Sequence, residues 1–208
     1  MLEQKTRQVL DHGFVTLEDF MGGDAAVIRA ARICYKSEST SPEADIRLIN
    51  NLMKSEPKHN TPFEHAVFRF YVKCPIFVSR QWLRHRIGTF NERSLRYVTA
   101  ELGFYMPDGY DVFSREMYRK GIEHCLQLYK NLLDIGWRKE VARAVLPLAL
   151  YTEFVWTVNA WSLMNWLTKR LDKKAQWEHR QYAKAVLEIF EEVMPITAAA
   201  FEEHVLYA

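Results

Sequence analysis

Cysteine is scarce in this chain. Cys34, Cys74 and Cys125 are odd in number and form no CxxC pair, which argues against a disulfide framework or a zinc ribbon and fits a reducing, cytoplasmic setting. Long apolar runs are also missing. No stretch approaches the ~20 residues that span a bilayer, and the opening MLEQKTRQVLDHGF holds no signal-peptide segment, so no membrane partner is expected. A surplus of one charge is missing too: the net charge is +2, far from the wholesale basic surface that binds nucleic-acid backbone. His59 and His65 with Glu64 straddle a proline in no recognised ligand pattern, so no metal is expected. What remains is 49% hydrophobic and 13% aromatic, a composition that supports a substantial core over residues 1–208 and excludes disorder.

Against that even background one stretch stands apart, RHRIGTFNERSLRY from Arg84 to Tyr97. It carries Arg84, Arg86, Arg93 and Arg96 with His85, Asn91, Glu92, Thr89 and Ser94, and Gly88 as a breaker. Arginine forks match phosphate and carboxylate geometry with paired hydrogen bonds. The segment therefore reads as a binder of a small anion.

Periodicity gives an α+β arrangement, an antiparallel sheet with flanking helices. Phe14 to Leu17 is a short apolar segment, followed by a Gly22-Gly23-Asp24 loop whose Asp24 caps a helix from Ala25 to Tyr35. A second helix lies within SESTSPEADIRLINNLMK, with Thr40 or Ser41 as cap, Pro42 in its first turn, and Ile46, Ile49, Leu52 and Met53 on one face. His65 to Lys73 alternates as a half-buried strand, with Phe68, Phe70 and Val72 on one side. Pro75 opens a helix through PIFVSRQWLRHR, which would place Gln81, Arg84 and His85 on one face before the arginine segment continues as a loop.

The clearest helix runs from Ser114 to about Ile135, with Gly136 to end it and a Tyr118, Ile122, Cys125, Tyr129, Leu132 stripe that reads as scaffold. RKEVARAV forms a shorter helix ending before Pro147, and LALYTEFVWTV alternates as a strand. Asn159 caps a helix through WSLMNWLTKRL, and Gln176 to Val193 and Ala198 to Leu206 close the chain as helices. Two passages echo each other. Aligning Trp82 with Trp166 also superposes Phe70 on Phe154 and Pro75 on Asn159; a degenerate internal repeat of this kind would put a site between the halves.

The segment RHR, seven residues and then Ser94 resembles the signature of the flavin-dependent thymidylate synthases. TPFEH at Thr61 to His65, RQW, VARAVLPL, WTVNAWSLMNW and AQWE resemble that family in the same order, from about Gly23 to Ala183. The resemblance implies methylation of dUMP to dTMP, with methylenetetrahydrofolate as carbon donor, FAD as hydride carrier and NADPH as reductant. It also implies a homotetramer whose active sites are shared between chains.

By matching motif, Thr61, Arg84, His85, Arg86, Glu92, Asn159, Trp161 and Asn165 would serve FAD. Gln81, Arg84, Glu92, Arg93, Ser94, Leu95 and Arg96 would hold dUMP, Arg143 would reach it from a neighbouring subunit, and Arg170 would face the uracil ring. Two positions depart from the pattern. Trp161 stands where many members carry an arginine, which trades a cation for a stacking surface, and Lys174 stands where some carry a histidine.

The chemistry of the residues agrees with those roles. Methylating uracil at carbon 5 without a covalent thiolate requires a fixed cation that stabilises charge on the amide edge of the ring, and Arg170 can supply it. Hydride transfer belongs to the flavin, so the protein must bind and orient polyanions. Ser94 has no paired base in the sequence and reads as a phosphate ligand rather than a nucleophile. His85 read without the family is a structural histidine. Two rivals remain: a flavoprotein NADPH oxidase that has lost methyl transfer, and an RNA-binding module using Arg84 to Arg96 with Phe90 and Tyr97 as a basic, aromatic platform. The second leaves TPFEH and VNAWSLMNW unexplained.

Overall fold

The computed structural model describes residues 5–34, 36–56 and 59–207. Five strands, β1 (Lys5–Val9), β2 (Gly13–Met21), β3 (Val67–Pro75), β4 (Thr89–Glu92) and β5 (Tyr151–Asn159), form one sheet in the order β1-β2-β3-β5-β4, with every neighbouring pair antiparallel. The α+β expectation with an antiparallel sheet is met. Alternation explains its single buried face: Phe68, Phe70, Val72 and Cys74 of β3 and Phe154, Trp156 and Val158 of β5 are buried, while Arg69, Tyr71, Lys73 and Glu153 face the other way.

The buried face is covered by helices α1 (Gly23–Ile33), α2 (Pro42–Lys54), α6 (Ala160–Leu171), α7 (Trp177–Val193) and α8 (Pro195–Phe201). A second, smaller cluster forms where α4 (Val112–Asp134) packs on α5 (Lys139–Ala142) and the turn Arg143–Val145, around Ile122, Leu126, Tyr129 and Leu150. No helix among the described residues is long and apolar enough to cross a membrane.

Local signals account for most element ends. The Ser41 hydroxyl accepts the amide of Ala44 at the start of α2, Asp111 accepts that of Ser114 in α4, and Asn159 accepts that of Ser162 in α6. Gly136, at φ 92°, ends α4 with Trp137 donating to the Leu132 carbonyl and Gly136 to that of Leu133, the paired bonds of a left-handed C-terminal cap.

Several expectations need correction, most of them for a tertiary reason. Asp24 does not cap its own helix: α1 begins at Gly23, and the Asp24 carboxylate accepts the amides of Ile196 and Thr197, both at 3.0 Å, at the start of α8. That helix ends at Ile33, and Tyr35 lies outside the described residues. The helix after Pro75, α3 (Ile76–Trp82), stops a turn earlier than PIFVSRQWLRHR implied, because Arg170 Nη2 donates to the Gln81 carbonyl at 3.0 Å and satisfies one of its free C-terminal groups. The arginine segment then continues as an edge strand, β4, rather than a loop, and the hairpin of β1 and β2 extends well beyond the apolar Phe14 to Leu17.

Gly13 shows how tightly the hairpin sits on α7. A Cβ there would overlap the Tyr182 hydroxyl and lie 2.8 Å from the carbonyl oxygens of both Lys73 and Val9. Because two of these neighbours are backbone, Gly13→Ala is expected to destabilise the protein by about 1–3 kcal/mol, read as a lowered midpoint in thermal unfolding. Tyr182→Phe on that background should relieve only part of the loss, since it removes one clash of three.

Candidate active site

The antiparallel ribbon of β3 and β5 sends a helix from each end back over its buried face. Pro75 of β3 leads into α3 and Asn159 of β5 leads into α6, and the two meet where Trp82 packs on Trp166 with ring centroids 4.5 Å apart. Both rings also touch Trp156 of β5, at 5.3 and 5.2 Å. At the outer end of this aromatic stack lies Arg170, near the end of α6. Its Nε donates to His85 Nε2 at 3.0 Å, its Nη2 to the Gln81 carbonyl at 3.0 Å, and its Nη1 to Gln81 Oε1 at 3.5 Å. Gln81 in turn donates to Gln176 Oε1, just before α7. Residues far apart in sequence are thereby joined around one guanidinium.

The electrostatics of this cluster follow from burial. His85 is held down to about 4, by desolvation first and then by the neighbouring Arg170 and Lys169 charges, so it is neutral at physiological pH. His179, wholly buried, is stacked on Trp82 at 5.4 Å and beside Trp166 at 5.6 Å, and neither of its ring nitrogens has a partner among the described residues. Desolvation, followed by Arg170 and His85, holds it down to about 3.

A second group straddles the sheet where β4 meets β5. On the buried face Thr152 donates to Glu92 at 2.8 Å, while on the polar face Arg93 pairs with Glu101 at 2.8 Å and Glu153 at 3.3 Å, and Tyr71 donates to Glu153. Arg93 is thus already engaged, and its amide also bonds the Glu153 carbonyl at 2.9 Å. A third group sits on the turn after β4. The Ser94 carbonyl accepts the amides of Tyr97 and Val98, Leu95 packs into the smaller cluster, and Arg96 and Arg143 flank Glu140, with Arg96 Nη2 3.9 Å from its carboxylate and Arg143 Nε 3.3 Å from its carbonyl. No hydrogen bond or ion pair joins the three groups among the described residues.

The remaining predicted positions lie at the junction of the TPFEH turn and α6. Thr61 opens a short helical turn, Thr61–His65, and the Ala160 amide bonds the Ala66 carbonyl just beyond it at 2.8 Å. Thr61 and Asn165 are exposed, Asn159 caps α6, and Trp161 is half-buried against the main core. Next to Thr61, the buried Asn60 Oδ1 has no partner among the described residues. Arg84, Arg86, Lys169 and Lys174 have no carboxylate within ion-pair distance among the described residues. Burial pushes the Cys74 thiol well above its usual range, with Glu92 adding to the effect, so it is not a ready nucleophile.

Sequence reasoning missed Gln176, His179 and Glu153. The AQWE run held the first, but its residue type gave no reason to link it to Gln81.

Similarity to known proteins follows the same residues. Residues 16–196 match the family described as thymidylate synthase complementing protein. A flavin-dependent thymidylate synthase of Thermotoga neapolitana is 49% identical over 93% of this chain and 92% of its own length, and one of Thermosipho africanus is 47% identical over the same shares. Among solved structures, a UMP/dUMP methylase of Streptomyces cacaoi bound with 5-Br dUMP superposes with a TM-score of 0.86 at 30% identity, covering 95% of this chain and 97% of the other.

The two depressed histidines set a pH dependence of stability. In the unfolded chain each protonates near 6.5, while in the folded protein each stays neutral to about 4 or below. Unfolding therefore takes up protons as pH falls through this window, and stability present above 6.5 is lost toward 4. His179→Leu is expected to remove about one proton from that uptake, a slope of roughly 1.4 kcal/mol per pH unit, and to raise stability progressively as pH falls, most at the acid end of the window. Denaturant titrations of both proteins between pH 4.5 and 7 measure it; parallel curves would assign the effect elsewhere.

Proposed function

The chain belongs to the flavin-dependent thymidylate synthases, and on that premise we propose that it methylates dUMP to dTMP with Arg170 as the residue that activates the uracil ring. The observation that carries the role of Arg170 is its place: a guanidinium from the second motif is fixed by Gln81 and His85 of the first, with desolvation lowering its own pKa. A cation held in a partly water-excluded setting stabilises charge as it develops, without reorganising. No residue of the chain acts as a nucleophile in this reading. Family membership sets aside the RNA-binding reading, and the oxidase reading leaves the fixed guanidinium without a role.

The substrate phosphate is assigned to Ser94, the backbone of Leu95, and Arg96, with Arg143 completing the set. Glu92, anchored by Thr152, and Arg93, tied to β5 through Glu153, hold that turn to the sheet. Gln81 and Arg84 lie toward the ring. FAD, when bound, supplies the hydride, which NADPH replenishes, and methylenetetrahydrofolate supplies the carbon.

The residues present fit such a cofactor. Among the described residues, Arg84, Arg86, Lys169 and Lys174 are cations without carboxylate partners, suited to a pyrophosphate, and Thr61, Asn165 and Asn60 Oδ1, which has no partner there, offer donors and acceptors to a heterocycle. His85 contributes a neutral ring at this boundary, and Trp161 an apolar wall.

Two further features of the family reading rest on the arrangement of groups. The nucleotide ligands fall into separate groups within one chain, and large apolar side chains are exposed on and near α4, Tyr110, Val112, Phe113, Met117 and Trp137 among them. Both support a homotetramer with shared sites. The offset of 84 that pairs Trp82 with Trp166 also pairs Tyr71 with Val155, which lie opposite each other at the centre of the ribbon; this supports an internal repeat related by a local two-fold axis. The cysteines, unpaired in the fold, support a cytoplasmic location.

Arg170→Lys keeps a positive charge and loses the planar fork. At saturating dUMP, dTMP formation is expected to fall on the order of a hundredfold, while flavin reduction by NADPH on the same preparation largely survives. If both rates fall together, Arg170 holds the cofactor or the fold instead; if neither falls, the ring is activated by another group. Light scattering should give four chains per particle, and activity should be lost on dilution below the association range. A fully active monomer would remove the shared site.

A further inference from the structure

We propose that Gln176 and His85 are positioning residues, which act through Gln81 and directly on Arg170 to present its guanidinium to the substrate in one fixed orientation. The proposal rests on the reading of Arg170 as the cation facing the uracil ring. Arginine offers five donors and no acceptor, so every group that touches it here must offer a lone pair, and that single fact sets the polarity of the cluster. Facing Arg170 Nη1 at 3.5 Å, Gln81 has to present its carbonyl oxygen, which turns its amide nitrogen toward Gln176. Gln176 must then answer with its own oxygen, as it does. Reversing either amide would set donor against donor.

Gln176 has no competing duty. It occupies the position before the first residue of α7, yet its side chain makes no capping bond there, and it is exposed rather than packed in the core. Its side chain is spent on Gln81. That leaves the orientation of a neighbour as the effect of this glutamine.

His85 fills the third side of the frame. Its Nε2 accepts from Arg170 Nε at 3.0 Å, so the ring is neutral with its proton on Nδ1. Protonation would remove the acceptor and set a second cation against the first. Desolvation and the charges that face it, Arg170 and Lys169 from α6, all disfavour that event, and the neighbouring His179 of α7 is itself neutral. The frame therefore holds across the pH range in which an ordinary histidine would switch.

The test uses the full-length, FAD-loaded enzyme. Gln176→Met keeps the length of the side chain and loses the acceptor, whereas Gln176→Glu keeps an acceptor oxygen. At saturating dUMP, kcat for dTMP formation is expected to fall about tenfold in the methionine variant, as a displaced catalytic group would cause, and to stay near wild type in the glutamate variant. Thermal midpoints near wild type in both would separate positioning from folding. A methionine variant as active as wild type, or a glutamate variant as impaired as it, would overturn the role of Gln176. Independently of turnover, nitrogen NMR of histidine-labelled enzyme at pH 7 should show His85 neutral and protonated on Nδ1; a charged ring, or one protonated on Nε2, would overturn the frame. If that signature holds but Arg170→Lys leaves dTMP formation intact, it is the assignment of Arg170 to the ring that fails.

Discussion

Nine residue pairs between β3 and β5, from Val67 opposite Asn159 to Pro75 opposite Tyr151, are the constraint on which the rest of this protein depends. Because the two strands are antiparallel, the helices that follow them leave from opposite ends of the ribbon. Because both strands bury the same face, both helices must fold back over it, and they collide at the middle, Trp82 on Trp166 above Trp156. A slip of one residue would turn every buried aromatic outward. The register thus fixes where α3 and α6 meet, and so where Gln81, His85 and Arg170 can find one another. The precision of the cluster is inherited from a sheet, not from a loop.

Much of this was legible in the residues. Alternation marked β3 and β5, caps marked α2 and α6, and the density of arginine marked the segment that supplies half the site. What could not be read was decided by contacts across long sequence separations. The early end of α3 depends on a guanidinium from α6 taking the Gln81 carbonyl, and no local signal around Trp82 announces that. The strand character of Thr89–Glu92 depends on a free edge of β5 to pair with, since the segment's own composition looks like a loop. Asp24 reads as a cap for the helix it precedes, and the helix it caps is another one. In each case a distant partner overrides a local preference.

The site combines two regimes of electrostatics. On the polar face of the sheet, Arg93, Lys73, Glu101, Glu153 and Tyr71 form a partly exposed network in which charges neutralise one another, and this face is stiff but chemically spent. Around Arg170 no carboxylate among the described residues is within ion-pair distance; its partners are neutral oxygens and a neutral imidazole ring. A cation satisfied by hydrogen bonds and not by an anion keeps its charge available to a ligand. The same desolvation that depresses His85 and His179 makes them acceptors or inert rings instead of competing cations.

The bond from Asp24 to Ile196 and Thr197 has a consequence for how the chain comes into being. A nascent polypeptide leaves the ribosome from its N-terminus, so α1 is made well before the helix whose amides its carboxylate caps, which lies 172 residues further along. Until then the floor of the sheet formed by Phe68, Phe70 and Trp156 lacks part of its cover, because α8 is still missing and α7 has only just been made. Closure of the main core therefore joins segments far apart in the sequence, and an unfinished chain exposes apolar surface. A chain stalled shortly before Thr197 would carry the complete arginine segment and the residues around Arg170, yet be a client for chaperones rather than an enzyme.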